Sequence, residues 1–314
     1  MLEGLSQRLD EWVIRSAAGS VRPASGIPSR ADAAATLLKR SDCFSPTVRA
    51  PDLHFLNPRD FQFDTPLPSP WSHNNRVRGK LYRAGDHGKP RPTVLLVHGW
   101  NGELGYDLQF PFLARHLQHR GVNVAMLELP YHGGRKPTGP GVETNFISPD
   151  FLSMVEAVRQ ALAEMQAMIL WLEAEGMGPV GVWGVSLGGW LAGLLASHHP
   201  GLHAMVLLTP VVRMGEAVER LAFFEPVRQN LRRDPMDLAR LSLEARVPLL
   251  SSDRMLLVAA RHDRFVPYAT VESLCQAWGR PVLWPRSHGH ISILFSWPTL
   301  KATLRWLSEK LNEA

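Results

Sequence analysis

The 314-residue sequence is poor in cysteine and contains no long apolar segment. Its two cysteines, Cys43 and Cys275, are too few for a disulfide framework, so reduced thiols and a cytoplasmic location are expected. No apolar run reaches the ~18–20 residues of a transmembrane helix. The N-terminus carries Glu3, Asp10 and Glu11 among its apolar residues, whereas a signal peptide has a basic start and an uninterrupted apolar stretch.

The motifs of several cofactor-binding and nucleic-acid-binding classes are also missing. The net charge of +5 comes from residues 1–92, where 14 Lys and Arg face 9 Asp and Glu without forming a compact block, so no nucleic-acid partner is predicted. There is no G-x-x-x-x-G-K-[ST] loop and no G-x-G-x-x-G turn, which argues against a nucleotide cofactor. Metal-ligating residue types do occur, in His132, His262-Asp263 and His288-x-His290. Without an H-E-x-x-H helix or a cysteine cluster, no metal and no other cofactor is expected.

What the chain does have is a regular alternation of buried strands and helices from residue 93 onward. The apolar fraction of 45% suffices for a large core. Predicted strands are Thr93–Val97, Val122–Leu127, Val180–Val185, His203–Leu208, Met255–Ala260 and Val282–Trp284. Predicted helices are Tyr106–Arg120, Pro149–Glu175, Leu187–Ser197, Tyr268–Trp278 and Trp297–Leu311. Strands that are apolar on both faces and alternate with helices predict a parallel sheet covered on both sides.

The first 74 residues are interpreted as an N-terminal extension, and residues 75–314 as the catalytic domain. Helical spacing predicts an amphipathic helix over 2–17 and a second helix over 31–40. Strands are predicted at 60–64, on a sheet edge, and at 75–83. The helix over 2–17 is a candidate for homodimer formation or for contact with a membrane surface, and its acidic residues weaken the membrane alternative.

The interval 211–254 is too long for a simple crossover between two strands. It carries apolar residues, including Phe223, Phe224 and Met236, among many charges. One interpretation is a helical lid over the active site, and the other is a longer crossover with no gating role.

The most informative motif is Gly184-Val185-Ser186-Leu187-Gly188, which lies between a predicted strand and a predicted helix. A G-x-S-x-G in that context is typical of a nucleophile elbow, in which a strained turn raises the serine above the sheet. The glycines are needed because side chains there would clash with the adjacent strand or helix. The pentapeptide alone is a weak signal, so a base and an acid must be found elsewhere.

Two histidines and one aspartate follow later strands, where the active residues of an open α/β sheet belong. His290 is the preferred general base, because a Gly-His pair before the closing helix is the commoner arrangement in such folds, and His288 is the reserve. Asp263 directly follows the strand Met255–Ala260 and is the preferred acid, which would fix the tautomer of the histidine. A surface aspartate in a turn is the alternative interpretation of Asp263.

Three other carboxylates, Asp234, Asp237 and Glu128, are weaker candidates for the acid, because none lies where a carboxylate normally faces the histidine loop. The backbone N–H groups of Leu187 and Trp100 are the candidate oxyanion-hole donors. His98 is expected to be structural.

Four aromatic residues are expected around the strand ends: Trp100, Tyr131, Trp183 and Trp190. For Trp183 and Trp190, packing in the core is the favoured interpretation.

The order Ser186, Asp263, His290, with His98-Gly99 upstream, resembles the α/β-hydrolase superfamily over residues 75–312. The resemblance implies an eight-stranded, mostly parallel sheet with helices on both faces. It also implies a serine mechanism through an acyl-enzyme, without a cofactor. The first 70 or so residues lie outside the resemblance.

The expected function is that of a serine hydrolase acting on a small-molecule acyl substrate, with a carboxylic ester preferred because the residues near the site are mostly apolar. A peptidase or acylaminoacyl hydrolase, and an acyltransferase, are neighbouring alternatives. A hypothesis of another class is a non-catalytic scaffold of the same fold that binds a ligand or partner.

Overall fold

A computed structural model describes residues 2–21, 25–85, 90–137 and 146–313 of the chain. One sheet runs through it. Its strands are β1 (His54–Phe55), β2 (Asp60–Asp64), β3 (Arg76–Tyr82), β4 (Thr93–Val97), β5 (Asn123–Leu127), β6 (Val180–Val185), β7 (Leu202–Leu208), β8 (Met255–Ala260) and β9 (Val282–Arg286). Their spatial order is β1-β2-β3-β5-β4-β6-β7-β8-β9.

The expected mostly parallel sheet is confirmed. The strands from β4 to β9 pair in parallel, whereas β1, β2 and β3 form an antiparallel edge next to β5. The described strands number nine rather than the expected eight. The additional strand is β1, which has only two residues and therefore carries no periodicity that a sequence pattern could reveal.

The helices cover both faces of the sheet, as expected. They are α1 (Leu2–Ser16), α2 (Ala31–Lys39), α3 (Phe110–Gln118), α4 (Phe151–Ala174), α5 (Leu187–Ala196), α6 (Met214–Arg220), α7 (Glu225–Arg233), α8 (Tyr268–Ala277) and α9 (Trp297–Asn312). Helices α3 and α9 lie with the core on one face, and α2, α4, α5 and α8 with the core on the other. Alternate residues of one strand enter different cores, so Val94 faces α3 while Leu95 faces the opposite side.

The N-terminal residues pack against the rest of the chain along their length. Strand β2 pairs with β3 over all five of its residues, so it extends the same sheet. Helix α2 packs on α4, and α1 lies against the segment that follows β9. The division of the chain at residue 74 stays a prediction.

The interval 211–254 folds into α6, α7 and several 3-10 turns. Its apolar side chains, Val218 and Phe224 among them, join the core on the α5 face. The Trp190 side chain of α5 donates a hydrogen bond of 2.6 Å from Nε1 to the carbonyl of Leu241, which ties the interval to the sheet layer.

Over the described residues, no helix combines the length and apolarity needed to cross a membrane.

Candidate active site

Ser186 occupies the turn between β6 and α5. Its backbone has φ 54° and ψ −115°, a region that non-glycine residues rarely adopt. The amide of Ser186 donates to the carbonyl of Leu208 at 3.0 Å, and its own carbonyl accepts from the amide of Trp190 at 3.0 Å, the first hydrogen bond of α5. The turn therefore points the Ser186 side chain away from both elements, into the space above the carboxyl ends of the strands.

The two glycines of the motif allow the close approach of neighbouring backbone. A Cβ atom at Gly184 would lie 2.4 Å from the carbonyl oxygen of Gly188. A Cβ atom at Gly188 would lie 2.3 Å from the carbonyl oxygen of Val97, in β4. Both distances are shorter than real contacts, so the turn requires glycine at both positions.

Ser186, His290 and Asp263 form a continuous hydrogen-bonded chain. The Nε2 atom of His290 is 2.9 Å from the Oγ atom of Ser186, and its Nδ1 atom is 2.8 Å from Oδ2 of Asp263. A carboxylate only accepts, so Nδ1 carries the proton and Nε2 is free to accept from the serine hydroxyl. The other carboxylate oxygen of Asp263 accepts from the amides of Phe265 and Val266, which fixes its orientation.

His290 is buried, with 4% of the residue exposed. Burial alone would lower its pKa, but the charge of Asp263 and its hydrogen bond, together with the charge of Asp10, raise the pKa of His290 above its ordinary value. The ring of Phe265 stacks on the imidazole at a centroid distance of 4.5 Å. The imidazole is therefore held on one face by an aromatic ring and at Nδ1 by a carboxylate.

The structure places the other candidates for base and acid elsewhere. His288 is hydrogen-bonded through its backbone to Arg286 and His262, while the ring of His290 reaches the serine. Asp234 accepts a hydrogen bond from the side chain of Ser29.

The two remaining carboxylates also lie apart from His290. Asp237 accepts from the amide of Ala239 at 2.8 Å. The carboxylate of Glu128 lies beside Gly133.

The loop after β4 lies directly beside Ser186. An added Cβ atom at Gly99 would be 3.4 Å from Cβ of Ser186. Trp100, the next residue, lines the same cavity as Ser186 and Leu187. Leu187 is the first residue of α5, where backbone N–H groups have no partner within the helix. The two candidate donors therefore flank the serine from two elements.

His98 is buried beneath this loop. Its Nδ1 atom lies 2.8 Å from the carbonyl oxygen of Gly99, and its Nε2 atom accepts from the amide of Leu129 at 3.1 Å. Burial lowers the pKa of His98 to about 4, so the ring is neutral at physiological pH. It joins the loop after β4 to the segment after β5, which is a structural role.

A cavity of about 580 Å³ opens at Ser186 and His290. The described residues that line it include no Asp, Glu, Lys or Arg side chain. Its walls come from α1 (Val13), from the segment after β4 (Leu104 and Leu108) and from the interval 211–254 (Ala217 and Phe223). The interval 211–254 therefore contributes one wall of the cavity, and whether it acts as a lid stays a prediction.

Two of the four expected aromatic residues line this cavity. Trp100 does so and packs on Phe223 at a centroid distance of 4.4 Å. Trp183 also contributes, although it is buried and donates to the Thr303 hydroxyl. Trp190 is buried against the interval 211–254, and Tyr131 lies at Asn74, which accepts from its amide.

Sequence reasoning missed two residues that contact the candidate base: Phe265, which stacks on it, and Asp10, which accepts from its backbone amide at 2.8 Å. No sequence pattern signalled Asp10, because the apolar residues Leu5 and Trp12, on the opposite face of α1, are the exposed ones in the structure. Within the described ranges, no group of three or more His, Cys, Asp or Glu side chains is arranged to hold a metal ion.

Comparison with known proteins identifies relatives of the chain. It is 31% identical over 237 residues to the uncharacterised protein Rv2627c of Mycobacterium tuberculosis, covering 73% of this chain and 56% of that protein. A second relative, the uncharacterised protein YdjC of Bacillus subtilis, is 32% identical over 66 residues, 21% of this chain and 57% of its own length. The chain thus spans a little over half the length of these curated relatives.

Solved structures share the fold at low sequence identity. The acetyl xylan esterase from Paenibacillus sp. R4 superposes with a TM-score of 0.59 at 15% identity, over 91% of this chain and 95% of its own. Acetyl xylan esterase 1 from Thermoanaerobacterium sp. JW/SL YS485 gives a TM-score of 0.57 at 17% identity, over 88% and 94%.

The sequence model of the family alpha/beta hydrolase domain containing 18 matches residues 33–220. The match begins in α2, includes Ser186 and ends at the last residue of α6. Since it takes in more than half of the chain, the protein belongs to this family and therefore to the α/β-hydrolase superfamily.

Proposed function

We propose that the protein is a serine hydrolase that cleaves carboxylic esters with an apolar acyl group. The observation that carries the proposal is the hydrogen-bonded chain Ser186–His290–Asp263, with distances of 2.9 and 2.8 Å, at the mouth of an apolar cavity. A hydroxyl activated by a neutral imidazole, itself oriented by a buried carboxylate, is the arrangement that nucleophilic acyl transfer needs.

In the first half of the proposed reaction, Oγ of Ser186 attacks the carbonyl carbon of the ester while Nε2 of His290 takes the hydroxyl proton. The oxyanion that forms accepts hydrogen bonds from the amides of Leu187 and Trp100. Asp263 stabilises the imidazolium without taking its proton. His290 then gives the proton to the leaving alcohol, and the acyl group remains on Ser186.

In the second half, a water molecule enters and His290 takes one of its protons. The resulting hydroxide attacks the acyl carbon, and collapse of the intermediate returns the proton from His290 to Ser186. The products are a carboxylic acid and a free enzyme.

The cavity favours a neutral, apolar acyl group over the aminoacyl alternative. Its volume of about 580 Å³ is in the range of small-molecule sites. An aminoacyl substrate would bring an ammonium group into this space, where the described lining offers no carboxylate side chain to pair with it. Burial of an unpaired charge is costly, so ester substrates with aliphatic acyl chains fit the lining better.

The first test is covalent labelling at Ser186. A fluorophosphonate probe is expected to label the wild-type protein, and Ser186→Ala is expected to abolish labelling. The same substitution should lower the turnover of p-nitrophenyl esters by about 10⁴-fold or more, because it removes the nucleophile.

Ser197→Ala is a matched control, since Ser197 lies at the far end of α5 and donates to the carbonyl of Gly193. It should label as the wild type does. A folded wild-type protein that stays unlabelled while a known hydrolase reacts would contradict the proposal and favour the non-catalytic scaffold.

A further inference from the structure

Asp10 is a buried carboxylate in a helix that otherwise exposes its acids. The residue is 0% exposed, whereas 63% of the Glu3 side chain and 43% of the Glu11 side chain are accessible. It lies on the face of α1 that points toward the two loops carrying Asp263 and His290. A carboxylate is rarely buried without several hydrogen-bond partners, so its contacts need an explanation.

Three backbone amides donate to this carboxylate. Oδ2 of Asp10 accepts from the amides of Arg264, at 3.0 Å, and His290, at 2.8 Å. Oδ1 accepts from the amide of Ile291 at 2.9 Å. Arg264 directly follows Asp263, so one carboxylate bridges the loop of the candidate acid and the loop of the candidate base.

The surroundings of Asp10 are shaped for this contact. A Cβ atom at Gly289 would lie 2.8 Å from Oδ2 of Asp10, so glycine lets the carboxylate reach the amide of His290. Ser292 accepts from the amide of Gly289 at 2.9 Å and donates to the hydroxyl of Ser6, one turn before Asp10, at 3.0 Å. Helix α1 is therefore attached to the histidine loop at two successive turns.

We infer that Asp10 is a positioning residue that sets the distance between Asp263 and His290 by holding the backbone of both loops. The inference rests on the proposed function and extends it to α1, which then completes the active site. Asp10 neither contacts Ser186 nor lines the cavity. It therefore acts through His290 rather than on the substrate.

The Asp10 carboxylate also contributes to the electrostatic field around His290. Burial lowers the pKa of that imidazole, whereas the charge and hydrogen bond of Asp263 and, as a smaller contribution, the charge of Asp10 raise it. The pKa of Asp10 is itself raised by burial, against three lowering hydrogen bonds from the amides. Other titratable and charged side chains on these elements include Glu3 and Glu11 of α1, His262, Asp263 and Arg264 after β8, and Arg286 and His288 at and after the end of β9.

The experiment compares full-length wild type, Asp10→Asn, Asp10→Ala and the control Glu11→Gln. Steady-state kinetics on a p-nitrophenyl ester across pH give kcat and KM, fluorophosphonate labelling gives the reactivity of Ser186, and thermal melting checks the fold. Glu11→Gln removes the same charge from the neighbouring position, whose carboxylate lies 3.6 Å from the Arg264 side chain and not on the loop amides.

Asp10→Asn should lower kcat by about 10-fold and Asp10→Ala by about 100-fold, with KM nearly unchanged, because small misplacements of catalytic groups are costly. Catalysis needs neutral His290, so activity falls as pH drops through its pKa. Removing the Asp10 charge lowers that pKa, and the acid limb of kcat/KM should move to lower pH in Asp10→Asn. Glu11→Gln should keep the wild-type kcat.

Folded Asp10→Asn with the wild-type kcat and acid limb would overturn the inference while leaving the proposed function intact. Wild-type protein that is neither labelled nor active would overturn both. Should Asp10→Ala fail to fold, Asp10→Asn still decides, because it is nearly isosteric. Gly289→Ala is a second test, because its methyl group would lie 2.8 Å from Oδ2 of Asp10 and 2.9 Å from the carbonyl oxygen of Ser6, which forces α1 away from the loop while the Asp10 charge stays. The kcat should fall, and an unchanged kcat would count against positioning by Asp10.

Discussion

At the scale of single residues, Ser186 is held in a backbone conformation that costs about 1–3 kcal/mol in an ordinary residue. Three hydrogen bonds maintain it: the amide of Ser186 donates to Leu208, and its carbonyl accepts from Trp190 and Val211. The neighbouring strands and helix thus impose the turn, and they do so only while their backbones approach closely at Gly184 and Gly188.

Gly188→Ala is expected to disrupt this turn. The added methyl group would lie 2.3 Å from the carbonyl oxygen of Val97, a backbone atom that cannot rotate away. We expect a loss of about 3 kcal/mol or more in the free energy of unfolding, at the upper end for overpacking, and a loss of fluorophosphonate labelling. Urea denaturation and labelling of the folded fraction measure the two effects.

The matched control is Gly4→Ala, in α1, where nothing lies within 4 Å of the added methyl group. It should be neutral or slightly stabilising, because alanine is the better helix former. Equal unfolding free energies for Gly188→Ala and the wild type would show that the close approach is not required.

The residues of the candidate site differ in how far sequence could predict them. Ser186 and Asp263 follow buried strands and His290 follows the half-buried β9, and all three strands end at one edge of the sheet. Motif and strand order therefore suffice to bring the three residues together. The sequence favoured His290 over His288 only through its Gly-His pair, because both lie in one short loop, and in the structure the ring of His290 is the one that reaches Ser186. Asp10 could not be placed, since its partners are backbone amides more than 250 positions along the chain.

At the scale of elements, continuous apolar runs predict strands best. The bounds of β4, β6 and β8 match the predicted ranges, because these strands are buried on both faces along their whole length. The ends of strands at the edge of the sheet are harder to predict. Strand β9 extends past its predicted end at Trp284 to Arg286, where a proline and an arginine carry no strand signal.

The first residues of helices are also hard to predict from the sequence. The range predicted as one helix from Tyr106 begins with a π-helical turn, Gly105–Gln109, before α3. Leu108 in this turn and Leu104 just before it line the cavity, so the irregular turn belongs to the wall of the candidate site. Propensity alone does not distinguish such a turn from regular helix.

The interval 211–254 supplies a wall whose shape should set the acyl-chain preference. Ala217 of α6 lines the cavity and is 7% exposed. Ala217→Phe should fill part of the space, so kcat/KM for long-chain p-nitrophenyl esters should fall about 10-fold or more while acetyl esters are spared, in line with ~1–3 kcal/mol for poor fit in an apolar pocket.

Ala239→Phe is the control for this prediction, because Ala239 lies in the same interval but is exposed. It should leave the ratio of long-chain to short-chain activity unchanged. If Ala217→Phe also keeps that ratio, the acyl chain does not bind against α6.

At the scale of the whole molecule, a buried ion pair connects segments that are distant in sequence. Arg135, after β5, has a side chain that is 0% exposed and donates to both carboxylate oxygens of Glu164 in α4 at 2.6 and 2.7 Å. Arg135 also donates to the carbonyl of Asn74, and the Thr65 hydroxyl donates to Glu164 at 2.7 Å. One network thus joins α4 to the loop after β5 and to the chain that leads from β2 to β3.

Breaking this pair should destabilise the protein more than removing it. Glu164→Gln leaves the Arg135 charge buried without a counter-charge, and we expect a loss of about 3–5 kcal/mol in unfolding free energy. Replacing both partners, Arg135→Met with Glu164→Leu, should cost less than the sum of the single changes, because no uncompensated charge remains buried.

Urea denaturation followed by tryptophan fluorescence measures each free energy, and Glu309→Gln provides the control. Its partner Arg305 is 67% exposed, so breaking that pair should cost ~1 kcal/mol or less. A loss for Glu164→Gln as small as that of Glu309→Gln would mean that water or other groups compensate the Arg135 charge. A large loss, with fluorophosphonate labelling retained in the folded fraction, would separate the network that stabilises the fold from the residues that are proposed to act on the substrate.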